Sequence, residues 1–212
     1  MPAYEPGSFR DPDSAVFRAD GKVLRGLSGR AADDWDRLRG TAFFTRLTES
    51  GKVVRTTPYE GEAPPSPRGE PWARVLEHEP VPVVSYPYEW PFAMLREAAA
   101  LQLEVLLAAL DEGMSLKDGT AYNVQFVGSR PVFIDVGSFE PAAGPWPGYR
   151  QFCQTMLFPL LVQAHLGVPY QPLLRGAVDG LSASDVAGMF SGLRRFRKGV
   201  LRNVLLHSIL AR

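Results

Sequence analysis

The β-prone runs Ala15–Arg18 and Lys22–Arg25 flank Asp20-Gly21, a pair that marks a two-residue turn, and so predict a β-hairpin. From Ala31 to Glu49, Trp35, Leu38, Ala42 and Leu47 recur at roughly helical spacing, with Asp33, Asp34 and Asp36 near the start. This predicts one helix, closed by Ser50-Gly51. Lys52–Thr56 reads as a short strand, Gly61–Pro71 as a proline-rich loop, and Pro80–Pro87 as extended chain, because Pro disfavours helix at and before its own position.

The clearest helix comes next. Pro91 fits a first turn, and Phe92, Leu95, Ala99, Leu103, Leu106 and Leu110 follow at steps of three and four, up to Gly113. Val124–Val127 and Pro131–Asp135, joined by Gly128-Ser129-Arg130, predict a second hairpin. A Gly/Pro-rich loop from Pro141 to Gly148 leads to a helix over Tyr149–Gly167. Another helix starts at Ser182, before a basic amphipathic run through Arg194, Arg195, Arg197, Lys198 and Arg202. Its apolar side, Val200, Leu201, Val204, Leu205 and Leu206, is expected to pack on the C-terminal part of the chain or on another protein.

Composition adds limits. The 212 residues are 45% hydrophobic and 22% charged, an ordinary globular mixture. Lys plus Arg and Asp plus Glu both number 23, so bulk charge gives no case for a nucleic-acid or anionic-membrane partner, and an anionic ligand needs a local site. Phe92–Leu110 is about as long as a membrane span but contains Arg96, Glu97, Gln102 and Glu104, so it is read as a buried helix of a soluble protein. Cys153 is the one cysteine and is read as a small buried hydrophobe. It cannot pair internally, and a cytoplasmic location is expected. His78, His165 and His207 share no metal-ligand spacing, which speaks against zinc.

The candidate chemistry lies in Gly113–Glu140. Asp118 precedes Asn123 by five residues in a loop after the long helix. Twelve residues further on, Asp135 ends a strand and is followed by Val136-Gly137. Phosphoryl transfer from a Mg²⁺-nucleotide needs a carboxylate beside the attacking hydroxyl and oxygen ligands for the metal. The alternative for Asp118 and Asn123 is turn capping, and for Asp135 a strand end whose carboxylate needs a partner.

Leu116-Lys117-Asp118-x4-Asn123 followed by Ile134-Asp135-Val136-Gly137 resembles the catalytic loop and metal-binding segment of the protein-kinase-like superfamily. The resemblance implies an α+β, two-lobed fold with a reduced β-rich N-terminal lobe (1–84), a hinge (85–91) and a helical C-terminal lobe (92–212) carrying the basic tail. It makes Asp118 the catalytic base and Asn123 and Asp135 the metal ligands, with Mg²⁺ and ATP as cofactors and a small hydroxylated acceptor as substrate. Arg25 stands where a lysine usually contacts phosphate, and Lys117 is either a phosphate contact or a solvated loop lysine. Tyr86 and Glu89, beside Tyr88 and Trp90, either form an adenine-binding hinge or plug the space between lobes. Leu116 replaces the usual histidine and no Gly-rich loop is present, so both an active phosphotransferase and a degenerate pseudokinase fit.

SYPYEWPF (85–92), GMSLKDGTAYNVQF (113–126), FIDVGSFE (133–140) and YRQFCQ (149–154) further resemble the N-terminal region of a bacterial family of class I SAM-dependent methyltransferases, some of them nodulation-related. There a kinase-like segment precedes a Rossmann-type methyltransferase domain, so the chain is expected either to bind nucleotide itself or to serve as an accessory domain of a methyltransferase. Methyltransferase activity in this chain is the weakest of the three readings. Gly137-Ser138-Phe139 lacks the second close-approach glycine of a SAM loop, and no usual SAM site is expected.

Overall fold

The computed structural model describes residues 3–4, 11–67, 69–206 and 208. Arg68 of the proline-rich loop and His207 fall outside them. The N-terminal sheet holds β1 (Ala3–Tyr4), β2 (Ser14–Ala19) and β3 (Lys22–Leu27), followed by α1 (Gly29–Leu38), α2 (Ala42–Glu49), β4 (Thr56–Pro58) and β5 (Arg74–His78). Its strand order is β1-β2-β3-β5-β4, with every neighbouring pair antiparallel. The expected hairpin is β2–β3, turning through Asp20 and Gly21, both at positive φ.

Alternation of side chains across the pleat splits this sheet chemically. Phe17, Leu24 and Val75 form a small outer cluster with Tyr4, Tyr59 and Trp72. Leu27 and Leu76 face inward and join the main core, and Arg25, paired with Leu76 across the ladder, lies on their side.

Three expectations are corrected in this region. The single helix over Ala31–Glu49 is two, because Gly40 and Thr41 interrupt it, and it begins earlier, at Gly29, with Ser28 Oγ accepting from Ala31 N. Of the expected strand Lys52–Thr56, only Thr56 belongs to a strand of the sheet, as the start of β4. The backbone of Lys52–Arg55 bonds Phe133 instead (Phe133 N to Lys52 O 2.8 Å, Val54 N to Phe133 O 2.9 Å), tying this segment to the second hairpin. The strand β5 was not foreseen, since Arg74, Glu77 and His78 leave it only two central apolar residues.

Thr41 makes no side-chain cap for α2. Glu112, seventy residues away, supplies it: its carboxylate accepts from Ala42 N at 2.8 Å and Phe43 N at 2.7 Å. Glu112→Ala is expected to cost about 1 kcal/mol by loss of this cap, read as a lower denaturation midpoint with an unchanged slope.

After a 3₁₀ turn at Pro87–Glu89 come α3 (Phe92–Asp111), β6 (Met114–Leu116), β7 (Val124–Val127), β8 (Arg130–Phe133), β9 (Phe139–Pro141), α4 (Tyr149–Phe152), α5 (Phe158–Leu166), α6 (Gln171–Gly176) and α7 (Ala183–Met189). The expected helix over Tyr149–Gly167 is α4 and α5 joined by a π-helical turn at Cys153–Leu157 and ended by Gly167 in the left-handed region. Cys153 is buried, which pushes its thiol pKa up. The buried face of α3 is Leu95, Ala98, Ala99, Leu101, Gln102, Val105, Leu106 and Ala109, so Leu103 and Leu110 of the predicted stripe lie outside it. The basic run is not one helix: a 3₁₀ segment, Gly192–Phe196, precedes a π-helical one, Leu201–Leu206. Val200 and Val204 reach the core as expected, whereas Leu201 and Leu206 are exposed.

The architecture is mixed α+β, and one hydrophobic cluster runs from the inner sheet face through α1–α3 to α7. Trp90 anchors its middle. Its ring meets Phe126 edge-on at 5.1 Å, its Nε1 donates to Ser85 Oγ, and its carbonyl accepts from Tyr170 Oη at 2.5 Å and Gln171 Nε2 at 3.0 Å. Among the described residues no helix is long and apolar enough to cross a membrane.

Candidate functional site

Asp118 sits just beyond β6, which pairs antiparallel with β9, and Lys117 N donates to Ser138 O at 2.7 Å. The loop holding Asp118 is thus fixed against the turn that follows Asp135. Close packing behind it depends on glycine, because a Cβ at Gly119 or Gly148 would strike the other segment's backbone. Gly119 N donates to Gln151 Oε1 at 3.0 Å and Ala121 N to Thr155 Oγ1 at 3.0 Å, so the helix after Gly148 holds the loop from below.

Asn123 closes a 3₁₀ turn capped by Thr120 Oγ1 and donates through Nδ2 to Asp118 Oδ1, while Ile134 N donates to Asn123 O at 2.8 Å. These bonds bring Asp118, Asn123 and the start of the Asp135 turn into one group. The sheet supplies the fourth member. Arg25 Nη2 donates to Asp135 Oδ1 at 2.6 Å, and its Nη1 donates to Ser14 Oγ at 3.1 Å, whose hydroxyl in turn donates to Asp11 Oδ2 at 2.6 Å. A Cβ at Gly137 would collide with the Arg25 guanidinium, so that glycine makes room for the ion pair.

Burial, and then the charge of Asp135, push the Asp118 pKa from 3.8 up to about 7. Asp11 adds to this, while the Asn123 hydrogen bond and Arg25 oppose it. The folded protein therefore holds the Asp118 proton more tightly than the unfolded chain does, and the stability this gives is lost as pH rises toward about 7. Asp118→Asn, which keeps an oxygen for Asn123, should be more stable than wild type above neutrality and indistinguishable near the unfolded carboxylate pKa. Urea denaturation at the two pH extremes checks this.

The other sequence candidates lie elsewhere. Lys117 Nζ donates to Gly137 O at 3.2 Å and stands 3.5 Å from Asp34 Oδ2 on α1. Tyr86 stacks on Tyr88 at 5.4 Å, and Glu89 Oε2 accepts from Tyr86 N at 2.8 Å. No hydrogen bond or ion pair among the described residues joins Tyr86 or Glu89 to Arg25, Asp118, Asn123 or Asp135. The Ser85 backbone is held by Gln125 of β7, whose Oε1 accepts from Ser85 N and whose Nε2 donates to Ser85 O.

Sequence reading missed Asp11 and Ser14, and it placed neither Gly137 nor His78 beside Arg25. Asp11 and Ser14 are three apart and bond locally, but nothing in their spacing points to Arg25. His78 is buried on β5 with Nδ1 2.8 Å from Thr56 Oγ1, and burial together with the Arg25 charge lowers its pKa to about 3, so it stays neutral at physiological pH.

Asp118, Asn123 and Asp135 offer oxygen donors, the set a hard cation such as Mg²⁺ takes. Among the described residues no three His, Cys, Asp or Glu side chains are grouped to hold a metal by themselves. With Asp118 set aside as the acid-base candidate, the carboxylate of Asp135 and the amide of Asn123 would leave most of such an ion's coordination to other ligands.

No family model matches the chain. It is 35% identical over 207 residues to nodulation protein NoeA of Rhizobium meliloti (strain 1021), an alignment covering 97% of this chain and 43% of that protein. The chain thus spans less than half the length of that relative.

Proposed function

We propose that this chain is a kinase-like domain that binds a Mg²⁺-nucleotide between its sheet and its helical part and transfers phosphate to a small hydroxylated acceptor. The convergence of Asp118, Asn123 and Asp135 with Arg25 supports the reading, because it places one acid-base group and a set of oxygen ligands where strand, loop and turn meet. In this reading residues 1–84 form the N-terminal lobe, 85–91 the hinge and 92–212 the helical lobe.

Asp118 takes the proton of the acceptor hydroxyl, and a carboxylate whose pKa is raised toward neutrality is a stronger base than an exposed one. Asn123 and Asp135 would hold the metal, which when bound would neutralise phosphate charge. Arg25, held beside Asp135 on the inner sheet face, would add a second cation next to the phosphates. Lys117 positions the Asp118 loop through Gly137 O and Asp34. Tyr86 and Glu89 shape the hinge rather than the reacting centre. The Val136-Gly137 turn is a poor SAM loop, since Gly137 faces Arg25 and Phe139 is packed against Phe43, Phe44 and Phe133.

A second reading is favoured by one observation. The Arg25–Asp135 pair already engages an oxygen of the metal-ligand candidate, as expected of a pseudokinase-like domain that regulates or presents substrate to a methyltransferase. The length of the NoeA relative leaves room for such a domain in a longer protein. A thermal-shift series with ATP, ADP and SAM, each with and without Mg²⁺, separates the readings. The first predicts stabilisation by Mg²⁺-ATP together with Asp118-dependent turnover. Stabilisation without turnover assigns the chain to the second, and stabilisation by SAM alone overturns both.

A further inference from the structure

We propose that the segment Leu193–Arg202 is a docking surface for an anionic phospholipid bilayer. The chain has zero net charge, yet Arg194, Arg195, Arg197, Lys198 and Arg202 fall within nine positions and residues 186–212 contain no Asp or Glu. All five cations are exposed, and among the described residues no ion pair involves them. Within the same cluster Leu193 is 86% and Phe196 70% exposed, and Leu201 is 42% exposed. One exposed Leu is ordinary, but two large apolar side chains standing almost free among five cations have the composition of an interfacial anchor.

The segment is held in place. Val200 and Val204 are fully buried in the core, Arg195 Nε donates to Phe190 O at 3.0 Å, and the Lys198 carbonyl lies 3.2 Å from His165 Nε2. Gly199 at φ +83° turns the chain over Leu161, which lets Val200 point inward while the residues before it face out. The ordering cost of presenting Leu193 and Phe196 is therefore partly met by folding.

A lipid surface satisfies both halves of this chemistry. Phosphate headgroups take the guanidinium and ammonium groups, and the acyl boundary takes Leu193 and Phe196. A nucleic-acid backbone would engage the cations and leave both apolar side chains in water. The zero net charge conceals the site, because the compensating acids lie earlier in the chain. The inference is independent of what occupies the Asp118–Asp135 group.

Co-sedimentation of the full chain with vesicles tests it. Mixed phosphatidylglycerol–phosphatidylcholine vesicles should bind the protein at least about tenfold more tightly than pure phosphatidylcholine, with an affinity that falls as salt rises. Leu193→Ser with Phe196→Ser should weaken binding to the mixed vesicles by about tenfold or more, and Arg194→Glu with Arg197→Glu should abolish it. These side chains are exposed, so unchanged thermal melts verify that both variants fold. Absence of binding to the mixed vesicles at low salt overturns the proposal. So does undiminished binding by the Leu193/Phe196 variant, which would leave a purely electrostatic surface and point to nucleic acid, checked by a gel shift with duplex DNA.

Discussion

Asp118→Ala is expected to lower phosphoryl transfer from Mg²⁺-ATP by about 10²- to 10⁴-fold, the usual contribution of a positioned general base. Asn123 holds Asp118 through one oxygen, which leaves the other free to receive a proton. Asp118→Asn keeps an oxygen to accept from Asn123 Nδ2, so in that variant nucleotide affinity should change far less than turnover. Steady-state kinetics would show kcat falling with little change in KM for ATP. The pH profile adds a second check. Asp118 must be ionised to act, and with its pKa pushed up to about 7 the wild-type rate should rise through neutrality. Asp118→Asn should be as inactive as Asp118→Ala while more stable at alkaline pH, so lost activity would not reflect lost fold.

The second large effect is on stability. Asp135→Ala removes the anionic partner of Arg25, whose side chain is 10% exposed, and leaves the guanidinium with Ser14 as its remaining side-chain hydrogen-bond partner. Stranding a buried charge costs 3–5 kcal/mol in general. Asp135 is itself 24% exposed, so water can partly replace it, and the lower end, about 3 kcal/mol, is expected. Removing both charges in Arg25→Met/Asp135→Ala should recover most of that loss, because the apolar methionine stem can rest on the inner sheet face beside Leu76. Chemical denaturation of the four proteins in this double-mutant cycle gives the coupling directly. A coupling near zero would mean that the pair is solvated and contributes little to joining the sheet to the Asp135 turn.

Where local signals suffice, the sequence was legible. Asp20-Gly21 located the first hairpin, Gly128 the second, Ser182 the start of α7 and Gly113 the end of α3. Boundaries failed where tertiary contacts outweigh them. Gly40-Thr41 breaks the first helical region because Glu112, distant in sequence, caps a new helix there. Leu103 and Leu110 obey the helical period and yet are exposed, because the core approaches α3 from the side of Leu101 and Val105.

The candidate site divided in the same way. Asp118, Asn123 and Asp135 carry a spacing that can be read, and the structure does bring them together. The Arg25–Asp135 contact spans 110 residues and depends on the register of β3 in the sheet and on the missing Cβ of Gly137, neither of which leaves a local trace. Asp11 and Ser14 enter only through that contact. For Tyr86 and Glu89, chemistry alone could not distinguish a ligand-facing hinge from a locally bonded turn, and the hydrogen bond from Tyr86 N to Glu89 is of the local kind.

If Arg25, Asp118, Asn123 and Asp135 form the proposed Mg²⁺-nucleotide site, Mg²⁺-ATP must bind this chain with the help of Asp135. Calorimetric titration of the intact chain with ATP, in Mg²⁺ and again in chelator, tests it most directly, with Asp135→Asn as the paired variant. One-to-one binding of Mg²⁺-ATP by the wild type, loss of that heat in chelator, and at least about tenfold weaker binding by Asp135→Asn are expected. No heat from the folded wild type with Mg²⁺-ATP, or equal affinity in Asp135→Asn, would contradict it.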